Sequence, residues 1–191
     1  MSDSRRLLPG LRHSPGLSRL RRPEPLDPAR HSYATFASGE PTLDEWLQKF
    51  AGQNRRRDTA ATWVIADEGN VVVAYASLSA TSVDISRAPA ALAKHSPKLI
   101  PALLLGRLAV DQRYAKQGVG TILVAHVLAT AVELNVKVAC RAVIVNALNP
   151  QARTWWQRFG FQTFNPSNPD DLDLYLLAKD IEATLGAMTS I

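Results

Sequence analysis

The sequence predicts a single α/β (α+β) domain, a mixed, mostly antiparallel sheet of about six or seven strands flanked by helices. Three observations lead there. First, β-branched runs alternate with segments of helical periodicity along most of the chain. Second, Thr59–Ala66 and Val71–Ser79 are joined by Asp67-Glu68-Gly69-Asn70, which reads as an antiparallel hairpin. Third, the apolar run Ala102–Val110 is followed by a glycine loop and a long apolar-faced segment. That is the layout of a strand buried on both faces feeding a helix. The length of 191 residues, 46% hydrophobic and 20% charged, suits one domain with a sizeable core.

Each element has its own justification. Residues 1–22 read as a basic tail, broken by Pro9, Gly10, Pro15 and Gly16, and the domain is expected over 23–185. Thr42-Leu43-Asp44-Glu45 matches a capping box, with Leu43, Trp46, Leu47 and Phe50 at helical spacing behind it. A helix is expected from there to about Arg56. The hairpin follows. Residues 80–101 contain three prolines and are expected to be irregular, with a short helix near 89–94. After the Ala102–Val110 strand and the loop Asp111–Gly120, a helix is expected over Thr121–Leu134, with Ile122, Leu123, Leu128, Ala131 and Val132 on its apolar face. Val136–Val145 reads as the next strand. Asn149-Pro150 opens a helix that Gly160 closes. Phe161–Phe164 and Leu172–Ala178 are the last strands, and 186–191 is expected to be a C-terminal tail.

Composition excludes several classes. A single cysteine, Cys140, leaves no disulfide framework and no Cys-rich zinc site. His13, His31, His95 and His126 are dispersed and form no HExxH helix, so no metal is expected. No apolar run reaches the roughly 18 residues of a membrane helix, and the first 30 residues lack the apolar centre of a signal peptide. The expected setting is the cytoplasm, away from membranes. The net charge is +5, but residues 1–30 carry seven arginines against three acids, so charge alone makes no case for nucleic acid binding by the domain.

The loop is the candidate site. Strand, then Gln117-Gly118-Val119-Gly120, then helix offers an anion the unpaired amides and positive dipole end of a helix, and glycine lets the backbone come close. A glycine turn that merely closes a strand–helix corner has the same pattern. A Rossmann fingerprint needs a third glycine where Leu123 stands, and a Walker loop needs a lysine that is absent before Thr121.

Taken with Leu108–Val110, Asn149 and the pattern Trp156, Gly160, Phe161, this loop resembles the GNAT family of acetyl-CoA-dependent N-acetyltransferases over most of residues 31–180. Pro23–Leu26, Phe36–Leu47 and Gly106–Asp111, in that order, narrow the resemblance to bacterial type II toxins that acetylate the α-amine of aminoacyl-tRNA and so inhibit translation. The resemblance implies acetyl-CoA as cofactor. Its pyrophosphate would be held by Gln117, Gly118, Val119 and Gly120, with charge from Arg113 and Lys116. Its pantetheine arm would pair with the backbone of Leu108, Ala109 and Val110 and meet Asn149. It also implies a ribbon-helix-helix antitoxin as partner and leaves a homodimer open.

The sequence departs from the family at three places. Ala115 and Lys116 stand where the loop usually has Arg or Gln and then Gly. Trp156 stands where the family places its general-acid tyrosine. A phenol can give up a proton; an indole N–H donates a hydrogen bond and keeps its proton near neutral pH. Trp156 therefore fits a slow enzyme, protonation through another group or water, or a catalytically impaired CoA-binding or antitoxin-binding protein. It fits equally well as core packing with Ala152, Trp155 and Phe159. An acetyltransferase acting on a small amine or a protein N-terminus is the other enzyme reading. No strong general base shows itself, Asp111 being the closest carboxylate in sequence. Residues 31–165 carry a net +5 and residues 166–191 a net −4, and Arg55, Arg56, Arg57, Arg87, Arg141 and Arg153 are the candidate RNA contacts, with Lys94, Lys98 and Arg158 beside them. Dipole complementation at a helix C-terminus explains Arg55–Arg57 equally well.

Overall fold

The computed structural model describes residues 19–189, so the expected tail lies outside the described residues as far as Ser18. From Leu20 the chain already runs along the sheet. Leu20 bridges Asp67, and the Arg21 N–H donates to the Ala66 carbonyl at 2.8 Å. Seven strands follow: β1 (Glu24–Pro25), β2 (Ala61–Ala66), β3 (Val72–Asp84), β4 (Leu99–Val110), β5 (Ala142–Asn146), β6 (Gln162–Thr163) and β7 (Asp173–Leu177). Their order is β1-β2-β3-β4-β5-β7-β6, and only β4 and β5 pair in parallel. The parallel pair needs a crossover, which α4 (Val119–Lys137) supplies.

The helices cover both faces. On one face α4, α5 (Pro150–Gln157) and α6 (Ala178–Thr189) bury Leu123, Val124, Val127, Leu128, Phe161, Leu174 and Ile181 against the sheet. A fully buried leucine such as Leu123 or Leu128 contributes about 1.5–3 kcal/mol by its removal from water. On the other face α1 (Pro41–Glu45) passes through a π-helical turn, Trp46–Phe50, into α2 (Ala51–Arg56). This helix closes over Leu26, Phe36, Val64, Tyr75 and Ala109. Beside it, α3 (Ala90–Ala93) drops Leu92 onto Ile100, Ala102, Ile144 and Tyr175. By length and hydropathy alone α4 could cross a membrane, but its inward residues are packed in the core.

Several element boundaries differ from those expected. The first helix begins at Pro41, with Glu40 as N-cap and no side-chain cap, so Thr42 does not cap it. The rigid φ of Pro41 suits the first helical position, and Asp44 instead accepts the N–H and hydroxyl of Ser38 at 2.9 and 2.6 Å. The short helix expected near 89–94 is α3 (Ala90–Ala93), but the two ends of the 80–101 segment are strand rather than irregular. β3 runs on to Asp84 and pairs with β4 from Leu99, with Pro101 opposite Ser82. Arg141 donates its N–H to the Pro101 carbonyl at 2.7 Å. α4 extends to Lys137, so β5 starts at Ala142 rather than at Val136. The segment after β7, including residues 186–189 of the expected tail, is the helix α6.

Candidate active site

The candidate phosphate loop is built on one buried carboxylate. Asp111, at the end of β4, is 1% exposed. Its Oδ1 accepts the Arg113 N–H (3.0 Å) and Nε–H (2.8 Å). Its Oδ2 accepts the Arg113 Nη2–H (2.9 Å) and the Ala37 N–H (3.2 Å). The Arg113 guanidinium, aided by the two backbone N–H groups, holds this carboxyl below the usual range. Asp111 is thus a latch that ties the loop to the segment before α1, and it is too well satisfied to serve as a base. The same geometry commits Arg113, which keeps 58% side-chain exposure but spends its fork on Asp111.

Beyond the latch the chain makes a 3₁₀ turn over Gln112–Tyr114 and then two left-handed residues, Lys116 (φ +60°) and Gly118 (φ +85°). Lys116 is exposed, and Gln117 donates its Nε2–H to the Arg113 carbonyl at 3.0 Å. Gly118 is the N-cap of α4 and brings no side-chain cap; Ile122 N–H to Gly118 C=O is a helical bond of the first turn, at 3.2 Å. The N–H groups of Val119, Gly120 and Thr121 therefore point out of the helix end without helical acceptors. A methyl group on Gly120 would lie 3.4 Å from both Trp155 and Val110, so α4, α5 and the end of β4 converge here.

Next to this helix end the sheet opens. The β4–β5 ladder runs only from Ala102↔Ala142 to Leu104↔Ile144, although β4 continues to Val110 and β5 to Asn146. The departure coincides with a bulge on the other side of β4. There Ser77 pairs with Arg107 and Leu78 with Leu105, leaving Gly106 over. A bulge bends and twists its strand, which carries Leu108, Ala109 and Val110 away from β5 and leaves a wedge with strand backbone along its side. Asn149, just past β5, caps α5 by accepting the Ala152 N–H at 2.8 Å.

Trp156 sits in α5 and is buried. Its ring lies edge-on to Trp155 (4.8 Å), Phe161 (5.3 Å) and Phe159 (6.4 Å). Two other phenols are committed elsewhere, for Tyr75 donates to the Leu43 carbonyl at 2.7 Å and Tyr175 to Gln162 at 2.9 Å.

The candidate RNA cations divide into two groups. Arg55 donates to the Leu26 carbonyl, Arg141 to the Lys94 carbonyl (3.0 Å) and Arg153 to the Pro169 and Asp171 carbonyls, so all three brace loops. Arg56, Arg57 and Arg87 are exposed. Among the described residues no group of His, Cys, Asp and Glu could hold a metal ion.

Sequence reasoning missed the Asp111 latch and the bulge at Gly106. The bulge had a signal, a lone glycine inside an apolar strand. The latch had none, because its second partner, Ala37, is 74 residues away.

An unpaired helix end beside a wedge of open strand backbone suits a ligand that joins a pyrophosphate to an extended amide-bearing arm. Known proteins agree. The Acetyltransferase (GNAT) family matches residues 24–161. A Mycobacterium tuberculosis tRNA-acetylating toxin is 36% identical over 152 residues, 80% of this chain and 89% of its own. The solved structure of AtaT complexed with acetyl-methionyl-tRNAfMet superposes with TM-score 0.77 at 27% identity, covering 86% of this chain and 98% of that one. A mutant AtaT bound to the C-terminus of the antitoxin AtaR and acetyl-CoA gives 0.73 at 25% identity, covering 86% and 97%. With its fold, loop and wedge all of one pattern, the chain belongs to the GNAT acetyltransferase family.

Proposed function

We propose that this protein acetylates the α-amine of aminoacyl-tRNA with acetyl-CoA and acts as the translation-inhibiting toxin of a toxin–antitoxin pair. The observation that carries the reading is the joint one of a helix end open to pyrophosphate and a β4–β5 wedge in a chain 36% identical to a tRNA-acetylating toxin. The residues fit the cofactor. The N–H groups of Gly118, Val119 and Gly120 would hold the pyrophosphate, with the Gln117 backbone beside them and Lys116 adding charge from solvent. The backbone of Leu108, Ala109 and Val110 would pair with the pantetheine amides, and Asn149 would fix the arm where β5 ends. Acetyl-CoA, when bound, supplies the activated acetyl group.

The protein's own part is to orient the acetyl group, exclude water and manage two protons. The aromatic layer of half-buried Trp155 with buried Trp156, Phe159 and Phe161 would dry one wall of the site. Trp156 can donate a hydrogen bond toward a developing negative charge but cannot supply the proton. Proton delivery would therefore rest on solvent or on the amine nitrogen, which carries an excess proton once it has bonded to the acetyl carbon, and the enzyme would be slow. Asp111 being committed as a latch, the amine also loses its proton to water. The amine of an aminoacyl ester is less basic than a lysine side chain, which makes that step tolerable.

The partner would be an antitoxin of the ribbon-helix-helix type. The protein would work in the cytoplasm, where charged tRNA is found. Exposed Arg56, Arg57 and Arg87 supply cations for RNA. Incubation with labelled acetyl-CoA and charged tRNA, beside a Trp156→Tyr variant, tests the reading. Label on the aminoacyl group supports it. Label only with the variant identifies a disarmed acetyl-CoA binder, and label with neither rejects tRNA as acceptor.

A further inference from the structure

One cation near the wedge has no assigned role. Arg107 follows the Gly106 bulge, at the level where β4 leaves β5. The residues around it alternate. Leu108 and Val110 pack toward α4, whereas Ala109 lies in the opposite cluster with Trp46 and Tyr75. Arg107 shares the face of Ala109, its Cζ 4.8 Å from the centre of the Trp46 ring. Trp46 in turn stacks on Tyr75 at 5.6 Å, nearly parallel, and the Tyr75 hydroxyl is tied to the Leu43 carbonyl. The guanidinium thus has a rigid aromatic seat. It is half-buried, and among the described residues it has no ion pair or hydrogen bond.

The contrast with the other arginines is informative. Arg113 spends its fork on Asp111, and Arg55, Arg141 and Arg153 spend theirs on backbone carbonyls. A guanidinium held against an indole with its N–H groups uncommitted is set up for a planar oxyanion, and phosphate is the usual one. Its place matters as well. A cofactor whose pyrophosphate sits at the start of α4 enters the wedge from the α4 face, so the acceptor meets it from the face that Arg107 occupies.

We propose that Arg107, seated on Trp46 at the β4 bulge, is the subsite for a phosphate in the 3′-terminal nucleotides of the acceptor. This rests on the aminoacyl-tRNA reading and adds to it a contact close to the reacting amine. It explains how a slow enzyme selects a nucleic acid acceptor over a free amino acid, since the free amino acid has no phosphate to offer.

The test has two arms, each run with the full chain and its Arg107→Gln and Arg107→Lys variants. In the kinetic arm, aminoacyl-tRNA is compared with a phosphate-free aminoacyl nucleoside. Arg107→Gln should lose roughly tenfold more kcat/KM on aminoacyl-tRNA than on the nucleoside, and Arg107→Lys should recover part of it. Equal losses on both acceptors would assign Arg107 to the fold or the chemistry and overturn the proposal. In the binding arm, the Kd of deacylated tRNA is followed against salt. Arg107→Gln should flatten the log–log slope by about 0.7, the share of one single-strand phosphate, while Arg107→Lys keeps it. An unchanged slope overturns the proposal. A wild-type chain that fails to acetylate aminoacyl-tRNA refutes the acceptor reading, and the binding arm still judges Arg107.

Discussion

Replacing Trp156 with tyrosine should make the protein less stable and a better enzyme at once. Trp156 is 6% exposed and packed edge-on against three aromatic rings. Exchanging indole for phenol removes roughly 40 Å² of buried apolar surface, about 1 kcal/mol at about 25 cal/mol per Å². Incomplete collapse around the smaller ring raises the cost to about 1–2 kcal/mol. In a chain of this size each kcal/mol shifts Tm by about 2–4 °C, so the expected drop is about 2–8 °C. The hydroxyl works in the other direction. A positioned general acid typically contributes about 10²–10⁴-fold, and the slot in α5 beside the wedge is where a phenol would act on a departing thiolate. Single-turnover acetyl transfer to charged tRNA measures the gain, and a thermal scan measures the loss. The variant should also acquire a decline in rate at alkaline pH, near the ordinary phenol pKa of about 10, that the parent lacks. A folded variant whose rate rises by less than about threefold, with no new alkaline limb, would refute the claim that the missing proton donor limits this enzyme.

Other outcomes follow from the same geometry. Asp111→Ala should cost about 2–3 kcal/mol, mostly from the two backbone N–H groups left under-partnered, because the pair with half-exposed Arg113 is screened by solvent. The folded-state pKa of Asp111 is depressed, so its stabilisation is complete above the unfolded value and disappears as pH falls through the folded one. Thermal scans should show the gap between parent and variant at neutral pH and its closure in strong acid; a gap independent of pH would contradict the latch. Gly118→Ala places a Cβ at φ +85° and should cost about 1–2 kcal/mol while weakening acetyl-CoA binding several-fold. Calorimetric titration checks this, and an unaltered Kd would remove the loop from the site. Arg56→Gln with Arg57→Gln should flatten the salt dependence of tRNA binding by about 1–2 units of slope without changing Tm. Arg153→Ala should instead lower Tm by a few degrees, because its guanidinium ties down the 165–171 loop.

How much of this was legible in the sequence varies from segment to segment. The glycine loop, the Asn149-Pro150 helix start and the β2–β3 hairpin are local patterns, fixed by conformational preference over a few residues. α6 was legible and passed over. Ile181, Leu185 and Met188 stand at helical spacing and pack on the core, although Met188 falls within the expected 186–191 tail. The strand ends of the 80–101 segment were not legible, since its prolines signal breaks locally while β3 and β4 pair as far as Asp84 and Leu99. Among the candidate cations, spacing could not separate exposed Arg56 from Arg153, because the carbonyls that claim Arg153 come from a loop 16 and 18 residues further on.

Composition, periodicity and a few spaced motifs by themselves determined the fold class, the place of the glycine loop between strand and helix, and the family resemblance. The resemblance also implies that Trp156 stands where the family places its general acid. All of these depend on neighbours within a turn or a strand of one another. Only the tertiary structure decided that Asp111 is a latch rather than a base, that the wedge opens at a bulge on Gly106, and that Arg107, among the described arginines near the wedge, keeps its fork uncommitted. Those properties depend on which distant backbone groups reach a side chain first, and that competition is settled by packing.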